Sequence, residues 1–233
     1  MRKIPRINGL SKQLADRLSP PDQFLTIKKN TFLFQQGEKV KELYILLSGK
    51  IQIGKISPDG RELTLRFCDV GDIIGEFIFD EEEVSYIVDA KVVEDGEVAV
   101  VKQKRVRDEL MDDSKSIIEL LKHSNLQYRK DQTKFRDLVM FGKKGALYST
   151  LIRLSNSYGV KKVDGIYLDV NLTNQEIANF CATSRESVNR MLNDLKRDGI
   201  IGIEKGRITI YQLDYLKTEI NCENCPVVLC SIK

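Results

Sequence analysis

Short apolar runs and glycine-containing turns alternate through the first hundred residues. Apolar and polar side chains alternate at 51–53 and again at 63–67, which is the period of a β-strand. Between these runs, Ser57-Pro-Asp-Gly60 places proline and glycine where a tight reversal requires them, so the segment predicts a hairpin. Further turn signals recur as far as Asp95-Gly96, at the spacing of an all-β barrel or roll. We therefore predict a β-roll domain over residues 1–113.

The hydrophobic period changes to that of a helix near residue 114. Positions at mostly three- and four-residue steps share one face as far as Val139: Ile117, Leu121, Ser124, Tyr128, Phe135 and Leu138. A helix over 114–141 is long enough for the seam of a two-stranded dimer, although packing on the roll alone gives a similar pattern. Gly142 and Gly145 predict a hinge after it, and a second helix follows over 146–158.

Residues 172–199 predict two helices joined by a tight turn. Thr173 and Glu176 match a capping box that begins the first helix, and Ala182 occupies the turn. After Gly199, apolar residues alternate on both sides of Lys205-Gly206, which predicts a two-stranded wing. The domain over 142–233 is therefore predicted to be a winged helix-turn-helix, the fold of many DNA-binding proteins.

The second of these helices has one apolar and one polar face. The predicted buried stripe consists of Val188, Met191, Leu192 and Leu195, and the outward face consists of Arg185, Glu186, Asn189 and Arg190. Arginine donates twice to guanine, glutamate accepts from cytosine, and a helix fits the major groove, so the outward face is the candidate DNA-binding surface. Taken alone, the same face is typical of a solvated helix. Thr183 and Glu186 also match a capping box, in which Glu186 only caps its helix.

The last twelve residues hold three of the five cysteines, Cys222, Cys225 and Cys230, at the spacing C-x2-C-x4-C. Thiolates this close together converge on one soft centre, either zinc or an iron-sulfur cluster. Three ligands leave the site one short, so the fourth comes from elsewhere in the fold or from solvent. Cys68 and Cys181 are expected to be buried structural residues.

Composition narrows the class of protein. The 233 residues are 42% hydrophobic and 30% charged, an ordinary globular mixture, and no apolar run approaches the roughly 20 residues of a membrane-spanning helix. An odd number of cysteines, with three crowded at one end, favours metal chemistry in a reducing compartment, so a cytoplasmic location is expected. The net charge of +3 permits nucleic-acid binding without requiring it.

The predicted order of elements resembles that of the CRP/FNR family of bacterial transcription regulators: a β-roll, then a long helix, then a winged helix-turn-helix. Segments 32–37, 43–49 and 71–76 are similar to the signature turns of the family's roll, and 185–190 is similar to its recognition helix. The resemblance implies an α+β fold with a jelly roll like that of cyclic-nucleotide-binding domains. It also implies a homodimer that binds palindromic double-stranded DNA with TGTGA-like half-sites and contacts RNA polymerase.

Within the family, the cysteine tail and segments 135–138 and 142–154 are similar to the Gram-positive Fnr type. That resemblance implies an oxygen-sensitive [4Fe-4S] cluster held by Cys222, Cys225 and Cys230, with Asp137 as the remaining ligand. The protein is then an oxygen-responsive regulator of anaerobic genes. A zinc ion that only fastens the tail, in a regulator with another effector, remains the alternative.

Two departures separate this chain from other branches of the family. Residues 1–67 contain no cysteine, whereas the enterobacterial type carries its ligands near the N-terminus. In the cyclic-AMP branch an arginine binds the cyclic phosphate, but here Val84 stands in its place after Glu81-Glu82-Glu83. Three carboxylates repel a phosphate, so we expect no cyclic-nucleotide control.

An enzyme is not expected. Rolls of this shape also occur in metal-dependent oxygenases and isomerases, which need histidine ligands, but His123 is the only histidine and lies in the predicted long helix. A lone helical histidine is more often solvated than a haem ligand.

Overall fold

The computed structural model describes residues 4–79 and 83–232, so Glu81 and Glu82 lie outside the described residues. These residues form two compact units. The first contains the chain up to residue 55 and residues 66–127, and the second contains residues 56–65 and the chain from residue 128 onward. The predicted domain boundaries at 113/114 and 141/142 stay predictions.

The first unit is a β-roll preceded by one short helix and followed by another. In chain order its elements are α1 (Lys12–Arg17), β1 (Gln23–Ile27), β2 (Phe32–Phe34), β3 (Glu42–Ile56), β4 (Glu62–Cys68), β5 (Ile73–Ile74), β6 (Asp89–Lys102) and α2 (Gln103–Leu110). The strand order is β1-β6-β3-β4, with β2 on β6 and β5 on β3. The predicted roll is confirmed.

Strand alternation builds two apolar cores in this unit. On β3, Tyr44 and Leu46 enter one core, while Leu43 and Ile45 enter the other. Successive side chains of a strand point to opposite faces, so a strand that is apolar at every position is covered on both sides. The second core also takes in Leu14 of α1 and contributions from α2, which explains why the roll is flanked by helices.

The predicted hairpin at 57–60 joins β3 to β4. The Ser57 amide donates to the Arg61 carbonyl oxygen at 2.9 Å, and Gly60 has a φ of 79°, which favours glycine. This end of the hairpin groups with the second unit.

The long helix α3 (Ser114–Tyr158) is interrupted once, at Gly142. There φ is 59° and ψ is −157°, a conformation essentially restricted to glycine. The predicted break is confirmed at this residue.

The second unit continues with β7 (Gly159–Lys161), β8 (Ile166–Leu168), α4 (Asn174–Phe180), α5 (Arg185–Arg197), β9 (Ile201–Glu204), β10 (Arg207–Ile210) and α6 (Leu213–Glu219). The sheet order is β7-β8-β10-β9. The predicted wing, β9–β10, is therefore half of a four-stranded sheet. Strands β7 and β8 were not predicted from the sequence, because each has only three residues and lacks a clear alternation.

Candidate functional site

The helix-turn-helix begins and turns where the sequence predicted. Thr173 accepts from the Glu176 amide while the Glu176 carboxylate accepts from the Thr173 amide at 2.7 Å, so the capping box is complete. Ala182, with a φ of 46°, makes the turn, and Ala178 is fully buried. These contacts fix the direction in which α5 leaves α4.

Helix α5 ends as sharply as it begins. The Gly199 amide donates to the Lys196 carbonyl at 3.2 Å and the Ile200 amide to the Leu195 carbonyl at 2.9 Å, which is a Schellman cap. Gly199 supplies the positive φ of 69° that this cap needs. The chain then reverses directly into the wing.

The apolar stripe of α5 is buried largely as predicted. Val188, Leu192 and Leu195 are at most 2% exposed, whereas Met191 is only half-buried. On the other side, Arg185, Glu186 and Arg190 are exposed. The candidate DNA-binding side chains are thus accessible at the N-terminal half of the helix.

The alternative role of Glu186 as partner of Thr183 is wrong, because Ser184 is the N-cap. The Ser184 hydroxyl accepts from the Ser187 amide at 3.3 Å. Hydrogen bonds from the backbone of Glu186 and from the Ser184 hydroxyl, with the charge of Arg185, lower the pKa of the Glu186 carboxyl. Glu186 is therefore an ionised, exposed acceptor at the start of the helix.

Asn189 differs from the other three predicted DNA contacts because it is half-buried. Its carbonyl oxygen accepts a hydrogen bond from the Asn174 amide group, which connects α5 to α4. Asn174 was missed by the sequence analysis, since residues fifteen apart on different helices give no periodic signal. Asn189 therefore has a structural contact whether or not it also contacts DNA.

The cysteine tail follows α6 as a series of tight turns. The Cys222 amide donates to the Lys217 carbonyl at 2.9 Å, and Asn221 and Asn224 both have positive φ. A further turn brings the Cys230 amide within 3.0 Å of the Pro226 carbonyl. Asparagine tolerates positive φ better than most residues, so the sequence suits this compact path.

The tail is attached to the part of α3 that follows Gly142. The Asn156 side chain donates to the Cys230 carbonyl at 2.7 Å, and the Ser157 hydroxyl accepts from the Ile232 amide at 2.9 Å. Leu229 and Ile232 are buried. Polar contacts and apolar burial together hold the tail in one position.

Asp137 lies on α3 before Gly142 and is only 3% exposed. Its carboxylate accepts from Arg136 Nε at 2.9 Å, Ser149 Oγ at 2.5 Å and Arg153 Nη2 at 3.3 Å. A buried carboxylate needs such charged partners to offset its lost hydration. Arg136 also forms an ion pair with Glu223 of the tail.

The four predicted metal ligands are neighbours. Burial is the main cause that raises the pKa of the Cys230 thiol; Arg153 opposes the rise, while Cys222, Cys225 and Asp137 add to it. Arg153 contacts both the Asp137 carboxylate and the carbonyl of Leu229, the residue before Cys230. Arg136 contacts both Asp137 and Glu223, the residue after Cys222. The structure therefore brings the tail cysteines and Asp137 into one region.

These neighbours do not form a closed single-ion site. Across residues 4–79 and 83–232, no three His, Cys, Asp or Glu side chains are spaced to hold one metal ion. Thiolates on one zinc ion lie within about 4 Å of one another, because each Zn–S bond is about 2.3 Å. A single metal ion is bound here only if the tail moves its thiolates closer together. A cluster of several metal atoms spans wider separations between its ligands.

The donor chemistry nevertheless fits a soft metal centre. Three thiolates and a carboxylate match the ligand set implied by the Fnr-type resemblance, and these ligands bind in their anionic forms. Arg136 and Arg153 supply two positive charges beside them. Burial and charge both suit an anionic cofactor site.

Cys68 and Cys181 are buried, as expected of structural residues. Burial is the leading cause that raises the pKa of Cys68 to about 12 and of Cys181 to about 11. A thiol with such a pKa is neither a ready nucleophile nor a ready metal ligand.

Aromatic side chains fill part of the roll interior. The rings of Phe34 and Tyr86 stack with centroids 3.6 Å apart.

Glu83 lies next to Val84, the residue that stands where the cyclic-AMP branch has an arginine, and forms an ion pair with Lys39 at 2.6 Å. Across the described part of this segment, 83–85, no guanidinium replaces the absent arginine.

His123 is half-buried and meets the Phe77 ring edge-on, so the expectation that it is solvated is corrected.

Sequence patterns alone did not predict the buried contacts of Arg153, Arg136 and Lys134. Lys134 donates to the carbonyls of Thr64 and Leu65, and burial lowers its pKa to about 7. A signal was present for Arg153, which is the only charged residue in the apolar run Leu151-Ile-Arg-Leu154. A charge inside a buried helical stripe calls for a buried partner.

The fold and the exposed face of α5 define a class: a winged-helix transcription regulator with an N-terminal β-roll. Residues 24–113 match the cyclic nucleotide-binding domain family, and residues 145–219 match the Crp-like helix-turn-helix domain family. The chain belongs to the CRP/FNR family, whose members are DNA-binding transcription regulators that act as dimers, not enzymes.

Similar proteins include two that are named as regulatory proteins. The "Anaerobic regulatory protein" of Bacillus subtilis is 49% identical over 224 residues, covering 96% of this chain and 94% of that protein. The "Lactate racemization regulatory protein" of Lactiplantibacillus plantarum is 33% identical over 198 residues, covering 83% and 89%.

Solved structures share the fold. The regulator CLP of Xanthomonas campestris has a TM-score of 0.74 at 21% identity and covers 86% of this chain and 99% of its own. The CRP-family regulator TTHB099 of Thermus thermophilus has a TM-score of 0.65 at 26% identity, covering 84% and 96%. None of the helices among the described residues combines the length and apolar character needed to cross a membrane.

Proposed function

We propose that the protein is an oxygen-responsive, cytoplasmic regulator of anaerobic genes that holds a [4Fe-4S] cluster on Cys222, Cys225, Cys230 and Asp137. The observation that carries the proposal is the attachment of the cysteine tail beside the buried carboxylate of Asp137. The name of the Bacillus subtilis relative, an anaerobic regulatory protein, supports the same biological role.

A mixed ligand set explains how such a site responds to oxygen. When bound, the cluster supplies an oxygen-labile iron centre. Asp137 gives that centre a harder and weaker ligand than a thiolate, so the iron beside it is the most open to attack. Arg136 and Arg153 hold the Asp137 carboxylate in place and offset negative charge.

The ligands also connect parts of the chain whose arrangement matters for DNA binding. Asp137 precedes the Gly142 break, whereas the cysteines follow the wing. A centre that joins them restrains α3 against the winged helix-turn-helix. The geometry of α5 then depends on an intact centre, which is a local switch with a global consequence.

Metal analysis of anaerobically purified protein tests the proposal. We expect a coloured protein with iron and acid-labile sulfide, and we expect exposure to air to bleach it and weaken operator binding. A colourless protein that contains zinc and binds its operator equally well in air contradicts the cluster and supports the zinc-fastened tail.

The role of Asp137 is tested by Asp137→Asn, which keeps the shape of the side chain but removes its charge. We expect lower iron content and faster bleaching in air, because the amide is a poorer ligand. Asp131→Asn, a change of the same kind on the same helix, is the matched control. Thermal unfolding of both variants verifies the fold, and equal iron content in both excludes Asp137 from the site.

On DNA, two subunits insert Arg185, Glu186, Asn189 and Arg190 into successive major grooves. The operator is then a palindrome with half-sites roughly 34 to 36 Å apart. The Arg-Glu pair at the start of α5, as in the CRP branch, supports TGTGA-like half-sites. Phosphate contacts make the affinity fall steeply with salt. RNA polymerase is the partner expected of a DNA-bound regulator of this family.

The dimer seam lies on α3 before Gly142. Exposed apolar side chains recur there with heptad spacing: Ile118, Leu121, Tyr128, Phe135 and Val139. Two members of the predicted stripe, Ile117 and Leu138, are half-buried within the single chain. Exposed Asn125 occupies a core heptad position, where asparagine favours a two-stranded register.

Cyclic nucleotides are not expected to control this protein. Val84 supplies no donor for a cyclic phosphate, and the neighbouring Glu83 already forms an ion pair with Lys39. The match to the cyclic nucleotide-binding domain family therefore describes the fold of the roll.

A further inference from the structure

Arg153 is a buried arginine whose guanidinium reaches several segments of the second unit. The residue is 3% exposed. Its Nη2 donates to Thr133 Oγ1 at 3.0 Å and to Asp137 Oδ2 at 3.3 Å, both on α3 before Gly142. Its Nε donates to Ser149 Oγ at 3.1 Å, and its Nη1 donates to the Leu229 carbonyl at 3.1 Å.

These contacts place one cation between the carboxylate and the tail. Leu229 directly precedes Cys230, so the bond to its carbonyl fixes the backbone of a predicted ligand. The same guanidinium fixes the carboxylate of Asp137, whose other oxygen is held by Arg136. One planar group with donors in fixed directions thus sets the position of both partners.

The chemistry of arginine is required for this arrangement. A lysine has one ammonium nitrogen and cannot reach four acceptors that lie in different directions. A neutral side chain leaves the Asp137 carboxylate with less compensation in a buried place.

We infer that Arg153 is a positioning residue that holds the cysteine tail against Asp137 through its hydrogen bonds to Leu229 and to the carboxylate. The inference rests on the proposed function only in treating the tail and Asp137 as a metal site. The docking of the tail through Arg153 can be tested in metal-free protein, independently of any cluster. Groups that hold ligands in place typically change metal affinity about 10–100-fold when they are replaced.

Amide hydrogen exchange in metal-free protein, kept with reductant and chelator, tests the inference. We expect Arg153→Lys and Arg153→Gln to speed exchange in the 221–232 segment by about tenfold, the scale of lost hydrogen bonds to a charged group. Arg129→Gln, an exposed arginine on the same helix, is the matched control and leaves exchange unchanged. Exchange in α4 and α5 serves as the internal measure of folding.

The inference is overturned if the tail amides of folded Arg153→Lys and Arg153→Gln proteins exchange at the same rate as those of the wild type. If these variants do not fold, the double variant that combines Asp137→Asn with Arg153→Gln is used instead. It removes the buried carboxylate and the buried guanidinium together, so neither charge is left unpaired. A tail that stays protected in this double variant also overturns it, and a tail that exchanges faster supports it.

Reconstitution with ferrous iron and sulfide separates this inference from the proposed function. We expect iron content to fall in Arg153→Lys relative to wild type and Arg129→Gln. If wild type takes up no iron, the cluster proposal fails, while the exchange result still decides the role of Arg153.

Discussion

At the scale of single residues, the environment of each charged side chain decides what it does. Glu186 and Asp137 are both carboxylates on helices, but Glu186 is exposed and Asp137 is 3% exposed with two arginines beside it. An exposed carboxylate is available to an incoming base, whereas a buried one is bound to its partners. The two residues therefore belong to different sites.

Glu186→Gln is expected to relax base choice. Glutamate is an acceptor that pairs with the cytosine amino group, and glutamine also offers donors, so discrimination at one base pair falls by about 1–3 kcal/mol. Competition binding with single-substituted operators measures this, and Glu94→Gln, an exposed glutamate of the roll, is the control. Unchanged selectivity would show that Glu186 contacts no base.

At the scale of elements, Gly142 determines the geometry of α3. The hydrophobic pattern is helical on both sides of this residue, but its positive φ and extended ψ end the regular path. A Cβ at this position meets no atom within 4 Å, so any penalty for a side chain comes from the backbone alone. The break is therefore a conformational property of glycine, independent of packing.

Gly142→Ala is expected to lower the free energy of unfolding by about 1–3 kcal/mol, the cost of a side chain in a sparsely populated backbone region. Urea denaturation provides the measurement. Lys143→Ala, an exposed neighbour on the same helix, is the control and should change stability little. Equal stability of both variants would mean that the break relaxes into a regular helix without cost.

At the scale of the whole molecule, the exposed heptad stripe of α3 requires a partner. Val139 is 80% exposed and Leu121 is 66% exposed, and a series of such residues along one helix is costly in water. A second copy of the chain covers them and also presents two recognition helices to a palindromic operator. Dimerisation and DNA binding are therefore linked.

Leu121→Asp is expected to dissociate the dimer at concentrations where the wild type remains paired, because it puts two carboxylates into an apolar seam. Sedimentation equilibrium measures the dissociation constant, and operator binding should weaken in parallel. Gln13→Asp, which adds the same charge at an exposed position of α1, is the control. A dimeric Leu121→Asp protein would exclude this stripe as the interface.

The sequence by itself determined the elements and their order, because hydrophobic period, caps and turn residues act over a few neighbouring positions. It fixed the hairpin at 57–60, the break at Gly142, the capped helix after Thr173 and the wing around Lys205. The spacing of the tail cysteines alone also indicated a metal site, whereas the prediction of Asp137 as a ligand depended on the family resemblance.

Only the tertiary structure decided which distant groups meet. Arg153, Ser149 and Arg136 surround Asp137 because separate segments fold together, and no local period records such contacts. Likewise, Asn174 holds Asn189 because α4 and α5 meet in the folded chain. Local patterns specify elements because their causes are short-range, whereas a buried charged site is a sum of long-range contacts.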